Sequence, residues 1–448
     1  MVQPSWVSEL ISTLPGVTQP VSTDRDFGGV APHQPWALAR TETRAQALQV
    51  LHFANQHGIP VSVRGSGHSS GGQTFASGGI VLRHTPSALD LEIGDTSIDV
   101  PGHWSWSRVE QIVRAAGRDL MVATSSLDTT VGGTLSMGGF GVRSVERGAQ
   151  VDHVEELQLV CANGTVRRCS SSVDPDLFRS ALTGAGQVGI IERARIKTAP
   201  RRPFLARCLA QHDSLRRLAD SIAWMGDLNR EAPHSFSALL KNGALHSIAS
   251  TAHSTEGDAR NALGRAWLQA SCDLTYETCV DEAFEADERN MPLEHWWSGR
   301  NYWSDYCFDI DGFVAFADFA DRTLWQGLRG HLAYVMCVAP PLSSLALDMR
   351  RWSDRRQFTL GLFYSVPAND LVASKAAQQN QRNALARCLE LGGRPYLYGC
   401  SGGRDGLSSE ALALVYGSSL ERLTRVRAQV DPGGILNPYA LNTKERDH

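Results

Sequence analysis

The chain has 448 residues, 42% hydrophobic and 20% charged, with a formal net charge of -4. That length predicts two domains rather than one core. The small negative charge argues against nucleic-acid binding, and no apolar run is long enough for a membrane-spanning helix. Nine cysteines, with no CxxC pair and no Cys/His cluster, argue against a zinc site or a disulfide framework. Residues 1–17 have no basic start and no long apolar run, so no signal peptide is expected and the expected location is cytoplasmic.

Residues 34–58 read as a strand-like entry, a Thr cap and an amphipathic helix. Gly58-Ile-Pro-Val-Ser-Val63 predicts a strand feeding a glycine-rich loop. Ile80-Val-Leu82 and Ser97-Ile-Asp-Val100 predict further short strands, and Trp106 to Ala116 a helix. Residues 151–165 alternate in part and end in Asn163-Gly164, a hairpin signal. Leu177 to Leu182 predicts a short helix, and residues 189–197 a strand. The first 200 residues are thus predicted as an α+β unit, with subdomains of about 1–95 and 96–200.

Ala199-Pro-Arg-Arg-Pro203 marks a predicted boundary. Beyond it, Trp296, Trp297, Tyr302, Trp303, Tyr306, Phe308 and Phe313 crowd together, Phe358 to Val366 predicts a strand, and Ala373 to Leu391 predicts a helix. Residues 201–400 are expected to form an α+β substrate (cap) domain. Glu410 to Val430 predicts one helix, followed by Asp431-Pro-Gly-Gly-Ile-Leu-Asn-Pro-Tyr439. Residues 401–448 are expected to return to the first domain.

Gly184-Ala-Gly-Gln-Val-Gly189 matches GxGxxG, but a helix is predicted before it and a strand after it. A dinucleotide fingerprint needs the reverse order, so a tight helix-to-strand turn is expected. Arg64-Gly-Ser-Gly-His-Ser69, continuing to Gln73, follows a strand directly. Its glycines allow backbone N–H groups to approach an anion, and Arg64 adds charge, so it reads as a pyrophosphate cradle. The run Thr129-Thr-Val-Gly-Gly-Thr-Leu-Ser-Met-Gly-Gly-Phe-Gly141 supplies a second close-approach surface.

These runs, with Arg147-Gly-Ala-Gln150, Gly186-Gln-Val-Gly-Ile-Ile-Glu192 and Asp431-Pro-Gly-Gly-Ile-Leu436, resemble the vanillyl-alcohol-oxidase type of flavoprotein with a PCMH-type FAD-binding domain. Within that type the chain looks most like cytokinin dehydrogenase, and it is similar also to 6-hydroxy-D-nicotine oxidase and berberine-bridge-like oxidases. The resemblance implies FAD as cofactor, covalently tethered through His68. It implies contacts from Arg64, Gly65, Ser66, Gly67, Ser69, Gln73, Ser125, Thr130, Gly132, Gly133, Ser136, Phe140, Ile191, Tyr396, Asn437 and Ala440. Berberine-bridge-like enzymes carry a second, cysteinyl tether where this chain has Asp128, so a single tether is expected.

Cytokinin dehydrogenases use an aspartate as base where this chain has Ser125. A serine is no base at neutral pH without an activating group. The catalytic candidates are therefore Asp128, reaching the site through an irregular loop, with Ser125 and Tyr396; otherwise the base comes from the cap. The lysine of aldonolactone and sugar-alcohol oxidases has no counterpart in Gly392 to Cys400. His295, Trp296, Trp297, Asp305, Asp309 and Asp311 read either as pocket residues or as an aromatic belt with solvated carboxylates.

The expected activity is hydride removal from a CH–NH or CH–OH group of a ring-containing small metabolite, with oxygen or another electron acceptor. An alcohol or sugar oxidase on the same scaffold and a catalytically degenerate flavin-binding protein are the alternatives. No metal, nucleic-acid or membrane partner is expected.

Overall fold

In the computed structural model the described residues are 4–20, 25–30, 34–75, 77–241, 243–264, 274–280, 299–324, 331–403 and 406–441. His295, Trp296 and Trp297 lie outside them. The helix Arg44–His57 forms where the sequence signals it. Thr43 and Gln46 close a capping box, and Gly58 ends the helix in the left-handed region at φ 62°. This helix crosses from β2 (Ala37–Thr41) to β3 (Val61–Val63), which delivers the chain to the glycine loop.

With β1 (Val17–Thr18) and β4 (Ile80–His84), these strands form a sheet in the order β1-β2-β4-β3, parallel except for β1. Leu436 adds a parallel bridge to Val61, so the C-terminal segment extends this sheet beside the loop.

The second sheet contains β5 (Glu92–Ile93), β6 (Ser97–Pro101), β7 (Arg118–Leu120), β8 (Val154–Val160), β9 (Val166–Ser170) and β10 (Ile190–Pro200). It is antiparallel, with order β5-β6-β10-β8-β9, and β7 pairs with β10. The 184–189 turn joins the helix Pro175–Ala181 to β10, as its sequence context requires.

The third sheet is antiparallel throughout. Its strands are β11 (Phe204–His212), β12 (Ser235–Lys241), β13 (Ala244–His253), β14 (Leu274–Val280), β15 (Gly299–Phe308), β16 (His331–Val338), β17 (Gln357–Pro367) and β18 (Arg394–Pro395), in the order β14-β11-β13-β12-β16-β17-β15-β18. Period-2 alternation splits its side chains. Tyr302, Tyr306, Phe308, Leu360 and Leu362 pack with Phe313, Phe316 and Ala377 of the covering helices. Trp303, Cys307, Tyr334, Met336 and Phe363 face the other way, into the core shared with the first half of the chain.

The predicted helix from Glu410 to Val430 is two helices, Ser409–Tyr416 and Ser418–Val430. Gly417, at φ 45°, breaks it. No described helix is long and apolar enough to cross a membrane.

Candidate active site and cofactor cavity

A cavity of about 370 Å³ lies between the glycine loop, the second sheet and the inner face of the third. Every residue assigned above to cofactor contact lines it: Arg64 to Ser69, Gln73, Ser125, Thr130, Gly132, Gly133, Ser136, Phe140, Ile191, Tyr396, Asn437 and Ala440. The 184–189 turn contributes Ala185, Gly186 and Gly189, although it is not a dinucleotide fingerprint.

Asp128 is a correction. It is exposed and does not line the cavity, because the 125–130 segment turns Ser125, Ser126 and Thr129 inward instead. Asp309 and Asp311 are exposed as well, and Asp309 is spent capping the helix Ile310–Thr323. Asp305 is buried on the cavity wall. β15 places it on the same face as Trp303, two residues away. Burial drives its carboxyl up to about 6, opposed in part by a hydrogen bond from the Tyr398 hydroxyl.

Tyr396 and Tyr398 both line the cavity, from the turn after β18 rather than from a strand. Their rings are 4.7 Å apart and tilted by 52°. The Tyr396 hydroxyl accepts from the Gly139 N–H at 3.0 Å, whereas Tyr398 holds Asp305. Ser125 Oγ is 3.5 Å from the Tyr334 hydroxyl. Gln73 works from beneath: its amide donates to the carbonyls of Leu397, Tyr398 and Gly399, fastening the tyrosine turn to the glycine loop.

The His68 imidazole stacks on Phe27, with centroids 4.6 Å apart. Its Nε2 lies 3.4 Å from Ser126 Oγ. Burial lowers its pKa to about 4, so the ring is neutral near pH 7. At another edge of the cavity, Glu192 receives Arg44, Gln158 and His84. Burial opposes its ionisation, yet those hydrogen bonds hold the carboxyl at about 2. His84 and His103 line that edge.

The chain matches the family model described as FAD binding domain over residues 35–170. It is 35% identical to the protein named Uncharacterized oxidoreductase ORF5 in fasciation locus, of Rhodococcoides fascians, over 44% of this chain and 42% of that protein. It is 35% identical to Cytokinin dehydrogenase 10 of Oryza sativa subsp. japonica over 39% of this chain and 34% of that one. These matches thus span less than half of either relative's length. A longer match, 25% identical, joins 96% of this chain to 90% of Cytokinin dehydrogenase 1 of the same rice. In fold, the chain is similar to xylooligosaccharide oxidase from Myceliophthora thermophila C1, solved with xylobiose. The TM-score is 0.78 at 18% identity, with 98% of this chain and 100% of that chain covered. Chitooligosaccharide oxidase gives the same score and coverage at 16% identity.

The residues present fit FAD. Among the described residues, the backbone N–H groups of Gly65, Ser66, Gly67, His68 and Ser69 donate to no protein acceptor. Such a row of unspent donors suits a diphosphate. A Cβ on Gly65 would strike Thr130 Oγ1, and Gly67 sits at φ 79°, where a side chain is strained.

Proposed function

We propose that the chain is an FAD-linked oxidoreductase of the vanillyl-alcohol-oxidase type, which removes a hydride from a CH–OH or CH–NH group of a ring-containing small molecule and passes the electrons to dioxygen or another acceptor. The observation that carries this reading is the buried Asp305 carboxylate, held by Tyr398 on the wall of the cavity that also contains the glycine loop.

Bound FAD supplies the two-electron acceptor for the substrate hydride. Gly65 to Ser69 hold its diphosphate, with Thr130, Gly132, Gly133, Ser136, Ile191 and Asn437 lining the rest of its bed. His68 is the single attachment point in this reading. Its neutral ring supports that role, and in the tautomer that donates from Nε2 to Ser126 Oγ the free lone pair is on Nδ1.

The chain supplies the proton path. A phenol buried as deeply as Tyr398 is a poor base alone, and burial pushes its hydroxyl well above the usual value. Backed by Asp305, it takes the substrate proton as its own passes to the carboxylate. Trp303, Phe363 and Tyr334 present broad apolar faces that stack a ring and exclude water. This relay favours CH–OH substrates, and so does Ser125 standing where the cytokinin dehydrogenases it resembles carry their aspartate.

Two measurements test the reading. Matched aromatic, sugar and amine substrates are mixed anaerobically with the protein, and loss of flavin colour is followed. Bleaching by alcohols is expected. Bleaching by amines alone overturns the CH–OH preference, and no bleaching across the whole panel favours the degenerate flavin-binding alternative. Acid precipitation then reports the tether: colour stays in the wild-type pellet and moves to the supernatant in His68→Ala. Colour retained in the His68→Ala pellet overturns the His68 assignment.

A further inference from the structure

The short segment Arg25-Asp26-Phe27-Gly28-Gly29 has no role in the reading so far, yet it touches both halves of the site. On one side it follows the glycine loop. Phe27 N donates to Gly67 O at 2.8 Å and Gly28 N to Ser69 O at 3.1 Å, so the two bonds flank His68. The buried Asp26 carboxylate accepts from the N–H groups of Gly72 and Gly29, both at 2.9 Å. On the other side the segment is fastened to β15. The Asn301 side chain donates to Phe27 O, and the Asn301 N–H to Gly28 O, each at 2.8 Å. A Cβ on Gly28 would strike Ser70 O, so the strap and the loop meet backbone to backbone.

The side chain between these bonds is Phe27, fully buried. Its ring lies against the His68 imidazole with an interplanar angle of 29°. Trp303 meets Phe27 edge-on at 4.7 Å and His68 edge-on at 5.8 Å. Ser126 holds Nε2 from the FAD-binding half. The imidazole is therefore fixed in plane and in rotation by groups from three parts of the chain.

We propose that residues 25–29 are a positioning strap whose Phe27 orients His68 for covalent attachment of FAD. The inference rests on the His68 tether proposed above. Attachment replaces a C–H of the flavin ring methyl group and the imidazole N–H by one C–N bond. Two protons and two electrons are released, and the electrons pass to the flavin ring and from it to dioxygen. The in-plane lone pair of Nδ1 must point at the methyl carbon, and holding such a geometry contributes orders of magnitude in rate. Phe27 is a positioning residue, because it acts through His68.

The test uses the full chain as wild type, Phe27→Leu, Phe27→Tyr and Asp26→Asn. Each is incubated aerobically with FAD. Total bound flavin and acid-precipitable flavin are followed separately in time. Phe27→Leu is expected to bind FAD as wild type does but to attach it about tenfold or more slowly. Phe27→Tyr, which keeps the ring, is expected to restore the rate, and Asp26→Asn to fall between. Attachment by Phe27→Leu at the wild-type rate overturns the strap. So does loss of attachment only in proportion to lost FAD binding, which would be a merely structural effect. Wild-type protein that releases all its flavin into acid overturns the tether itself, a different result from the other two.

Discussion

Asp305 is ionised at the expense of the fold. Its folded-state value of about 6 lies above the ordinary 3.8, so the native protein binds more protons than the unfolded chain between those values. Stability therefore falls as pH rises from 3.8 to 6, and the full cost is present above 6. Asp305→Asn is expected to raise unfolding stability at pH 7, by about 3 kcal/mol at most. If the carboxylate is the proton acceptor, the same variant loses about 100- to 10,000-fold in turnover. Thermal unfolding and anaerobic flavin reduction measure the two effects. If the carboxylate takes no part in proton transfer, the variant gains the stability but leaves flavin reduction unchanged. The pH profile follows the same logic: kcat/KM is expected to fall below pH 6 as Asp305 takes up its proton, and the limb should vanish in Asp305→Asn. In the sequence, Asp128 lies three residues from Ser125, an odd offset that points it to the opposite face of an extended segment, so a base from elsewhere in the chain is the open alternative. Spacing does not show that Tyr398 meets Asp305 from a distant turn.

At the scale of elements, alternation along β15 sorts residues by role. Trp303 and Asp305 face the cavity, while Tyr302 and Tyr306 face the helices. The sequence shows this stretch only as a crowd of aromatic residues, and the pairing of β15 with β17 and β18 is not legible there, since local pattern does not specify partners distant in the chain. The glycine loop was legible because the turn chemistry is local, whereas the strap at 25–29 carried no periodic signal. The C-terminal segment depends on one residue. Asn437, buried at φ 42°, accepts from Val63 N at 2.8 Å and donates to Gly186 O at 2.7 Å. It thereby joins the entry of the glycine loop, the 184–189 turn and the chain end. Asparagine tolerates this left-handed backbone better than most residues. Asn437→Ala leaves two buried backbone groups unpaired and is expected to cost about 2–4 kcal/mol. FAD titration of the variant should show weaker binding. Unchanged affinity and melting temperature would mean that the segment is held by Leu436 and Ile435 alone.

Across the whole molecule, residues after 200 are fastened to those before it by two buried arginines. Arg356 donates to the carbonyls of Val145, Met225 and Asp227, gathering the helix Ser144–Arg147 and the 223–227 turn around one guanidinium. Arg350 lies between two carboxylates, with Asp152 at 2.6 Å and Asp348, near in sequence, at 2.7 Å. Its side chain is fully buried, and its guanidinium is 5.5 Å from the ring centroid of Phe140, a cavity wall. Burial disfavours its charge, but the paired carboxylates more than offset this and raise its pKa. Local sequence does not show that Arg350 points inward against acids from both parts of the chain; the fold does. Such a triad is costly to break from the middle, because both carboxylates then stay buried without a cation. Arg350→Met is expected to destabilise the protein by about 3–5 kcal/mol. Adding Asp152→Asn and Asp348→Asn to it should recover most of that loss, since the unpaired charges and not the missing attraction cause it. Denaturant unfolding of the single and triple variants measures both values. A triple variant as unstable as the single one would mean that the arginine acts through packing against Phe140, and FAD affinity should then fall in step.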